Sequence, residues 1–237
     1  MSISVTTRHA TQTERGGNRL KRCIDFLAAT VLGILLLPLV ALACLLAAID
    51  TRSSGIFCQQ RVGFNGHLFT IFKLRTMRTD TGAKTTVTAS DDIRITAIGR
   101  QLRRFKLDEL PQLLNVIRGE MALVGPRPDV QGYANLLSGE ERAVLSVRPG
   151  ITGPAQLLFR EEEELLSLQA DPESFNDNVL YPLKTRANLE YVRSETLLLD
   201  VRLILATVGI GSLPQRFAEL VDMETLRIRN QSESRAR

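Results

Sequence analysis

The apolar positions of this chain are distributed unevenly. Between Phe26 and Ile49 stand 24 consecutive residues without a charge, FLAATVLGILLLPLVALACLLAAI. A straight helix of that length reaches about 36 Å, enough to cross a bilayer core. A soluble core helix that long would need all its faces covered. The segment therefore predicts a retained membrane anchor. A secretory signal would carry a shorter apolar core, and Ala41-Leu42-Ala43-Cys44 makes a poor lipoprotein cleavage site. Pro38 divides the run into two halves of about 17 Å, roughly one leaflet each. Bases lie on both flanks, with Arg15, Arg19, Lys21 and Arg22 before and Arg52 and Arg61 after. That removes the charge asymmetry which would send the two ends to opposite sides. From the residues alone, a kinked spanning helix and a re-entrant one stand equal.

The remaining pattern predicts a compact, helix-rich α/β domain. Residues 1–18 are polar and aperiodic and read as a disordered segment, 19–50 as the membrane helix, 51–228 as one compact domain, and 229–237 as a flexible tail. Ile56–Val62 and His67–Lys73 are short apolar-rich runs around Asn65-Gly66, which predicts a β-hairpin. Residues 79–91, rich in Thr, Asp and Gly, read as a loop, and Thr96–Phe105 as a basic helix. Leu110, Leu113, Leu114 and Ile117 mark one face of a helix that stops at Gly119. Ser138 and Glu141 are spaced as a capping box. The four glutamates at 161–164 suit a solvated helix start. Leu197, Leu198, Val201, Ile204, Leu205 and Val208 trace an apolar face expected to pack in the core, with the membrane interface as the alternative.

Composition narrows the chemistry. Three cysteines without a CxxC pair and two distant histidines leave no thiolate or histidine metal site. A net charge of +4 fits a phosphate-rich ligand, an anionic membrane or nucleic acid. Asp108-Glu109-Leu110-Pro111 stands between the basic helix and the next one, where Asp108 suits an N-cap. The helix start and the bases Arg94, Arg100, Arg103, Arg104 and Lys106 would favour its ionised form. An ionised aspartate can accept a phosphoryl group, and Glu109 could help hold Mg²⁺. Gly125-Pro126-Arg127-Pro128 and Val147-Arg148-Pro149-Gly150 each hold an arginine on stiff backbone, as planar phosphate recognition requires, although an ordinary turn would read the same. Lys73, Arg75 and Arg78 form a further basic strip. No P-loop, dinucleotide fingerprint or Ser-His-Asp set is present.

Lys21-Arg22-x-x-Asp25 before the apolar segment, then QQRVGFNGHLFTIFKLRTM, LDELPQLLNVIRGEMALVGPRP and VRPGITGPAQ, follow in the order of one family. Over roughly residues 19–210 the chain resembles the small monotopic phosphoglycosyl transferases, the bacterial sugar transferase family. The resemblance implies transfer of a sugar-1-phosphate from a UDP-sugar to undecaprenyl phosphate, with release of UMP, as a first step of surface-glycan assembly. It implies Asp108 as nucleophile, Glu109 as its Mg²⁺-associated partner, and Lys73, Arg103, Arg127 and Arg148 as substrate-binding bases. It also implies a re-entrant helix broken at Pro38, membrane lipids as partners, no nucleic acid, and a domain on the cytoplasmic face of the inner membrane. A homodimer stays open. Two positions depart from the family: Leu37 replaces the common serine before the break, and Pro154 replaces the usual tryptophan. The rival reading is a non-enzymatic membrane-anchored adaptor that binds anionic lipid or nucleic acid, which leaves the acidic dyad and the proline-held arginines without a role.

Overall fold

The computed structural model describes residues 19–78 and 88–220. The expected disordered start, the tail at 229–237 and the 79–87 part of the expected loop lie outside the described residues. Arg19–Thr51 form one continuous helix, α1, with Pro38 inside it. The expected break at Pro38 is thus not a helix end. The ring removes a single backbone donor, from the carbonyl of Ile34, and a long apolar helix absorbs that local defect.

The faces of α1 differ sharply. Lys21, Asp25, Ala29, Ala43, Ala47 and Thr51 are its buried positions, mostly at four-residue spacing and mostly small. A Cβ on Gly33 would come 3.9 Å from Ile117, so the helix docks closely there too. Leu27, Val31, Ile34, Leu35, Leu37, Leu45 and Ile49 point away and are exposed. In its most apolar 18-residue window only 11% is buried, which rules out the core helix of a soluble protein.

Both ends of α1 dock onto the same domain. At the start, Lys21 pairs with Asp200 and its Nζ also donates to the carbonyl of Val124 at 3.2 Å. The Tyr191 hydroxyl donates to Asp200 Oδ1 at 2.7 Å. Arg22 donates to the carbonyls of Val116 and Ile117. At the other end, Asp50 Oδ2 accepts from the backbone N–H of Ile98 at 3.0 Å, placing a carboxylate at the start of α2, Ala97–Arg104. Lys21 and Arg22 are therefore structural ties and not a basic flank facing lipid.

The hairpin forms as expected: β1, Ile56–Val62, pairs antiparallel with β2, Leu68–Leu74. Asn65 and Gly66 supply the left-handed turn, at φ 54° and 81°. Thr96 caps α2 by accepting from Gly99 N–H. A tight 3-10 turn, Leu107–Gln112, leads into α3, Leu113–Arg118, which ends at Gly119. Then β3, Ala122–Val124, pairs parallel with β4, Gly150–Thr152. A Cβ on Gly150 would lie 2.1 Å from the Gly125 nitrogen, so only glycine lets these two proline-rich segments lie side by side. Four further helices follow: α4, Pro154–Leu158; α5, Glu162–Ser167; α6, Pro172–Phe175; and α7, Tyr181–Ser194. Then comes α8, Leu197–Thr207. Tyr191, Leu199, Leu203, Val124 and Phe217 meet in one core cluster.

Two expectations fail here. Glu141–Ser146 is a 3-10 turn whose N-cap is Glu140, without a side-chain cap, so the Ser138–Glu141 capping box does not form. On α8 the buried positions are Leu199, Asp200 and Leu203, while Leu198, Val201, Ile204, Leu205 and Val208 are exposed. The apolar face expected in the core is the outer one. Periodicity located the stripe but could not say which medium it faces, because lipid and core reward the same residues.

The Lys21–Asp200 pair is buried on both sides, with side chains 11% and 8% exposed. Removing one partner strands the other charge. Lys21→Met should lower unfolding stability in detergent by about 3–5 kcal/mol, and adding Asp200→Asn should recover much of the loss. Denaturant titration of the two variants measures both effects.

Candidate active site

The 3-10 turn that follows α2 places the acidic pair. Lys106 adopts the left-handed conformation, φ 55°, and turns the chain so that Asp108 and Glu109 face inward. Both are buried, at 6% and 8% exposed. Asp108 lies in the first turn of the 3-10 element and does not cap a helix. Its Oδ1 is buried without a hydrogen-bond partner, an arrangement that a fold without a ligand for it would avoid.

The neighbours in sequence sit in opposite electrostatic settings. Glu109 Oε1 accepts from Lys73 Nζ at 2.8 Å and from Arg127 Nη1 at 3.1 Å. Burial opposes its charge, but Lys73 and then Arg127 outweigh burial and hold the carboxyl well below its usual range. For Asp108 burial is the largest influence and Lys73 only partly offsets it, so its carboxyl is pushed up. The expectation that nearby bases keep Asp108 readily ionised is thus reversed, because burial outweighs them and the adjacent Glu109 charge adds to it. Burial likewise pushes the Lys73 ammonium down, with Glu109 opposing.

A cavity of about 440 Å³ opens beside Asp108, and a smaller one of about 60 Å³ adjoins it, sharing Lys73, Arg103, Asp108 and Arg127. Of the expected site residues, the structure brings these four and Glu109 together. Arg148 is placed elsewhere. Its Nε donates to the Gly119 carbonyl at 2.8 Å and its guanidinium lies 5.5 Å from the Phe64 ring centre, so it does not line either cavity. Among the bases expected near Asp108, Arg94 lines the larger cavity and is held by Asp92 at 2.6 Å. Lys106 lines the smaller one, and Arg100 and Arg104 line neither.

Several lining residues were not expected. Phe57, Gln59 and Arg61 alternate along β1 and face the cavity together with Lys73 of the paired strand. That period-two run was legible as a polar strand face. Asp129, Tyr133, Tyr181 and Lys184 come from distant segments and carried no sequence signal. Glu162 and Glu163 also line the cavity, paired with Lys184 and Arg103, so they are not merely a solvated helix start.

The donor set bears on metal binding. Among the described residues, no group of three or more His, Cys, Asp or Glu could hold an ion alone. Mg²⁺ ordinarily takes one or two carboxylates plus phosphate oxygens. The partnerless Asp108 Oδ1 fits that pattern, as does Glu109, both of whose cationic contacts fall on Oε1.

A helix with an outward apolar face, joined to a domain whose cavity is walled by bases around two unequal carboxylates, fits membrane association and an anionic ligand. The chain belongs to the bacterial sugar transferase family, whose model matches residues 17–212. Among curated relatives it is similar to an undecaprenyl-phosphate glucose phosphotransferase of Komagataeibacter xylinus, with 48% identity over 46% of this chain and 21% of that one. It is also similar to a UDP-glucose:undecaprenyl-phosphate glucose-1-phosphate transferase of Caulobacter vibrioides, with 43% identity over 50% of this chain and 45% of the relative. An exopolysaccharide production protein, ExoY, of Rhizobium meliloti is 40% identical over 48% of this chain and 58% of its own length. The matches thus span from about a fifth to rather more than half of these relatives' lengths.

The two carboxylates should respond oppositely to neutralisation. The folded-state value of Asp108 is raised, so ionising it near pH 7 costs stability. Asp108→Asn should therefore stabilise the fold at pH 7 by on the order of 1 kcal/mol. That gain should vanish as pH falls below the ordinary carboxyl value of 3.8. Glu109 is depressed, so its stabilisation is present in full above the ordinary carboxyl value of 4.5 and is lost progressively as pH falls below it. Glu109→Gln should cost about 3–5 kcal/mol at pH 7, because it strands Lys73 and Arg127. Thermal melts across pH 3–8 check both signs.

Proposed function

We propose that this chain is a phosphoglycosyl transferase that moves a sugar-1-phosphate from a UDP-sugar to undecaprenyl phosphate. The observation that carries the reading is the buried Asp108 carboxylate, with a partnerless oxygen, on the wall of a cation-lined cavity in a domain tethered by an exposed apolar helix. The names of the relatives supply the substrate classes.

In this mechanism Arg127, Arg103 and Lys73 meet the donor's diphosphate. Planar guanidinium forks recognise phosphate oxygens in pairs and neutralise charge as it develops on the leaving group. Asp108 attacks the phosphorus that bears the sugar, and the bond from that phosphorus to the bridging oxygen breaks. UMP leaves with the bond's electrons, and a phosphosugar remains on the carboxylate. A phosphate oxygen of undecaprenyl phosphate then attacks the same phosphorus and Asp108 departs, giving the sugar-diphosphate lipid. Burial that raises Asp108 when the cavity is empty makes the carboxylate poorly solvated, and a poorly solvated anion is a better nucleophile. Mg²⁺ held by Glu109 and the donor's phosphates would supply further neutralisation of the diphosphate. Arg148 has no substrate contact in this reading; it ties the end of α3 to the β4 side.

The docking of α1 supports a seating on one side of the membrane. Lys21 and Asp50 lie near opposite ends of that helix and both engage the one domain. A domain on one bilayer face cannot hold both ends of a helix that crosses. In this reading α1 does not cross the bilayer but lies along one leaflet of the inner membrane, its outward apolar face in lipid and the domain on the cytoplasmic face. The exposed apolar residues of α8 extend the lipid-facing surface.

UMP release from a panel of UDP-sugars with undecaprenyl phosphate tests the reaction. Asp108→Asn should abolish it in folded, membrane-bound protein, and Arg127→Lys should reduce it at least tenfold, since lysine keeps the charge but loses the fork. Near-normal turnover by Asp108→Asn would remove it as nucleophile. For topology, cysteines placed at Ser4 and Ser234, with the three native cysteines replaced, should both escape an impermeant reagent applied outside the inner membrane. Labelling of Ser4→Cys alone would make α1 a spanning helix.

A further inference from the structure

The cavity carries its own anions. Glu162 and Glu163, at the start of α5, each pair with a base on the cavity wall: Glu162 with Lys184, and Glu163 with Arg103. The Arg103 contact is two-pronged, with Nη2 to one carboxylate oxygen and Nε to the other at 3.4 Å. A phosphate uses the same fork. Arg103 Nη1 is also 3.4 Å from the Thr76 hydroxyl, so the guanidinium is already oriented.

Exposure separates this pair from the deeper one. Lys73 and Glu109 have side chains only 16% and 11% exposed, and opening that pair would strand buried charge. Arg103 and Glu163 are 21% and 32% exposed, so water can screen both when they part, and the pair opens at small cost. The backbone beneath Glu163 is pinned. Its carbonyl accepts from Ser90 N–H at 2.9 Å, and Leu166 one turn on is buried against Phe159, Leu180 and Leu183. Only the side chain has to move.

We propose that Glu163 is a built-in counter-anion, which occupies the phosphate-facing fork of Arg103 when the cavity is empty and is displaced by the diphosphate of an incoming ligand. It is a positioning residue that acts through Arg103, and it rests on the transferase reading only for the identity of that ligand. The exchange keeps Arg103 aimed at the cavity between turnovers, and it sets the affinity for the diphosphate below what the bare arginine would give. A product with a single phosphate then competes less well with the carboxylate and leaves more readily.

The test is binding of inorganic diphosphate, with Mg²⁺, to the full chain in a membrane mimetic, measured by calorimetry for wild type, Glu163→Gln and Glu164→Gln. Glu164 is exposed and makes no contact with Arg103, so its variant removes the same charge without the pair. The expected result is an approximately fivefold lower Kd for Glu163→Gln, with Glu164→Gln unchanged and melting temperatures equal. With a turned-over donor, KM should fall by a similar factor while kcat stays level or drops as UMP release slows. A Kd that is unchanged or raised in Glu163→Gln overturns the proposal. So does an equal shift in Glu164→Gln, which would make the effect a general field, or the absence of diphosphate binding in both proteins. Tighter diphosphate binding by Glu163→Gln in a protein that transfers no sugar phosphate would keep this inference and overturn the transferase reading.

Discussion

The pairing of Lys21 with Asp200 constrains everything else in this molecule. A helix whose outer surface is large aliphatic side chains has no reason of its own to lie against a polar domain. One ammonium at its start, buried against a carboxylate of α8, with Tyr191 holding the other carboxylate oxygen, gives it that reason. The desolvation of these charges is tolerable only when all three groups meet. Arg22 adds a second tie at the carbonyl end of α3, where a cation also suits the helix dipole. Between them, alanines and Gly33 let the backbone approach closely. The acidic turn at Leu107–Gln112 directly precedes α3, so the docking of α1 onto the domain also bears on the position of the acidic pair.

Within the site, the dominant physical fact is unequal partnership. Two adjacent carboxylates share one cationic neighbourhood, and geometry gives Lys73 and Arg127 to Glu109. Glu109 is spent on holding two bases in place, while Asp108 keeps a buried oxygen without a partner. Stability would favour satisfying both, and the unsatisfied oxygen is what makes Asp108 the candidate for the proposed chemistry. The pairs grade outward from there. The buried Lys73–Glu109–Arg127 group is architecture, and the more exposed Arg103–Glu163 pair is open to exchange.

Much of the local architecture was legible. The Asn65-Gly66 hairpin, the Thr96-capped basic helix and the Gly119 stop all depend on short-range backbone chemistry, and all three formed. Lys73, Arg103, Asp108, Glu109 and Arg127 also came together, because long ordered motifs carry a site as a unit. The failures share one cause. The Ser138–Glu141 box, the inward α8 face and the capping role of Asp108 each required knowing what lay opposite. Arg148 looked like Arg127 because both sit on proline-stiffened backbone, yet Arg127 follows β3 and meets Glu109, while Arg148 precedes β4 and meets Gly119 and Phe64.

The amino-acid sequence by itself determined the elements whose causes are local, the apolar anchor, and the residue types available for phosphate chemistry. Periodicity, glycine and proline placement, and charge spacing act over a few residues and need no partner. Tertiary structure alone decided which carboxylate is satisfied, which arginine faces the cavity, which side of α8 looks outward, and that both ends of α1 rest on one domain. Those outcomes turn on desolvation and on contacts between segments as far apart as Lys21 and Asp200. A charge's environment is set by what folds over it, and no stretch of chain carries that information alone.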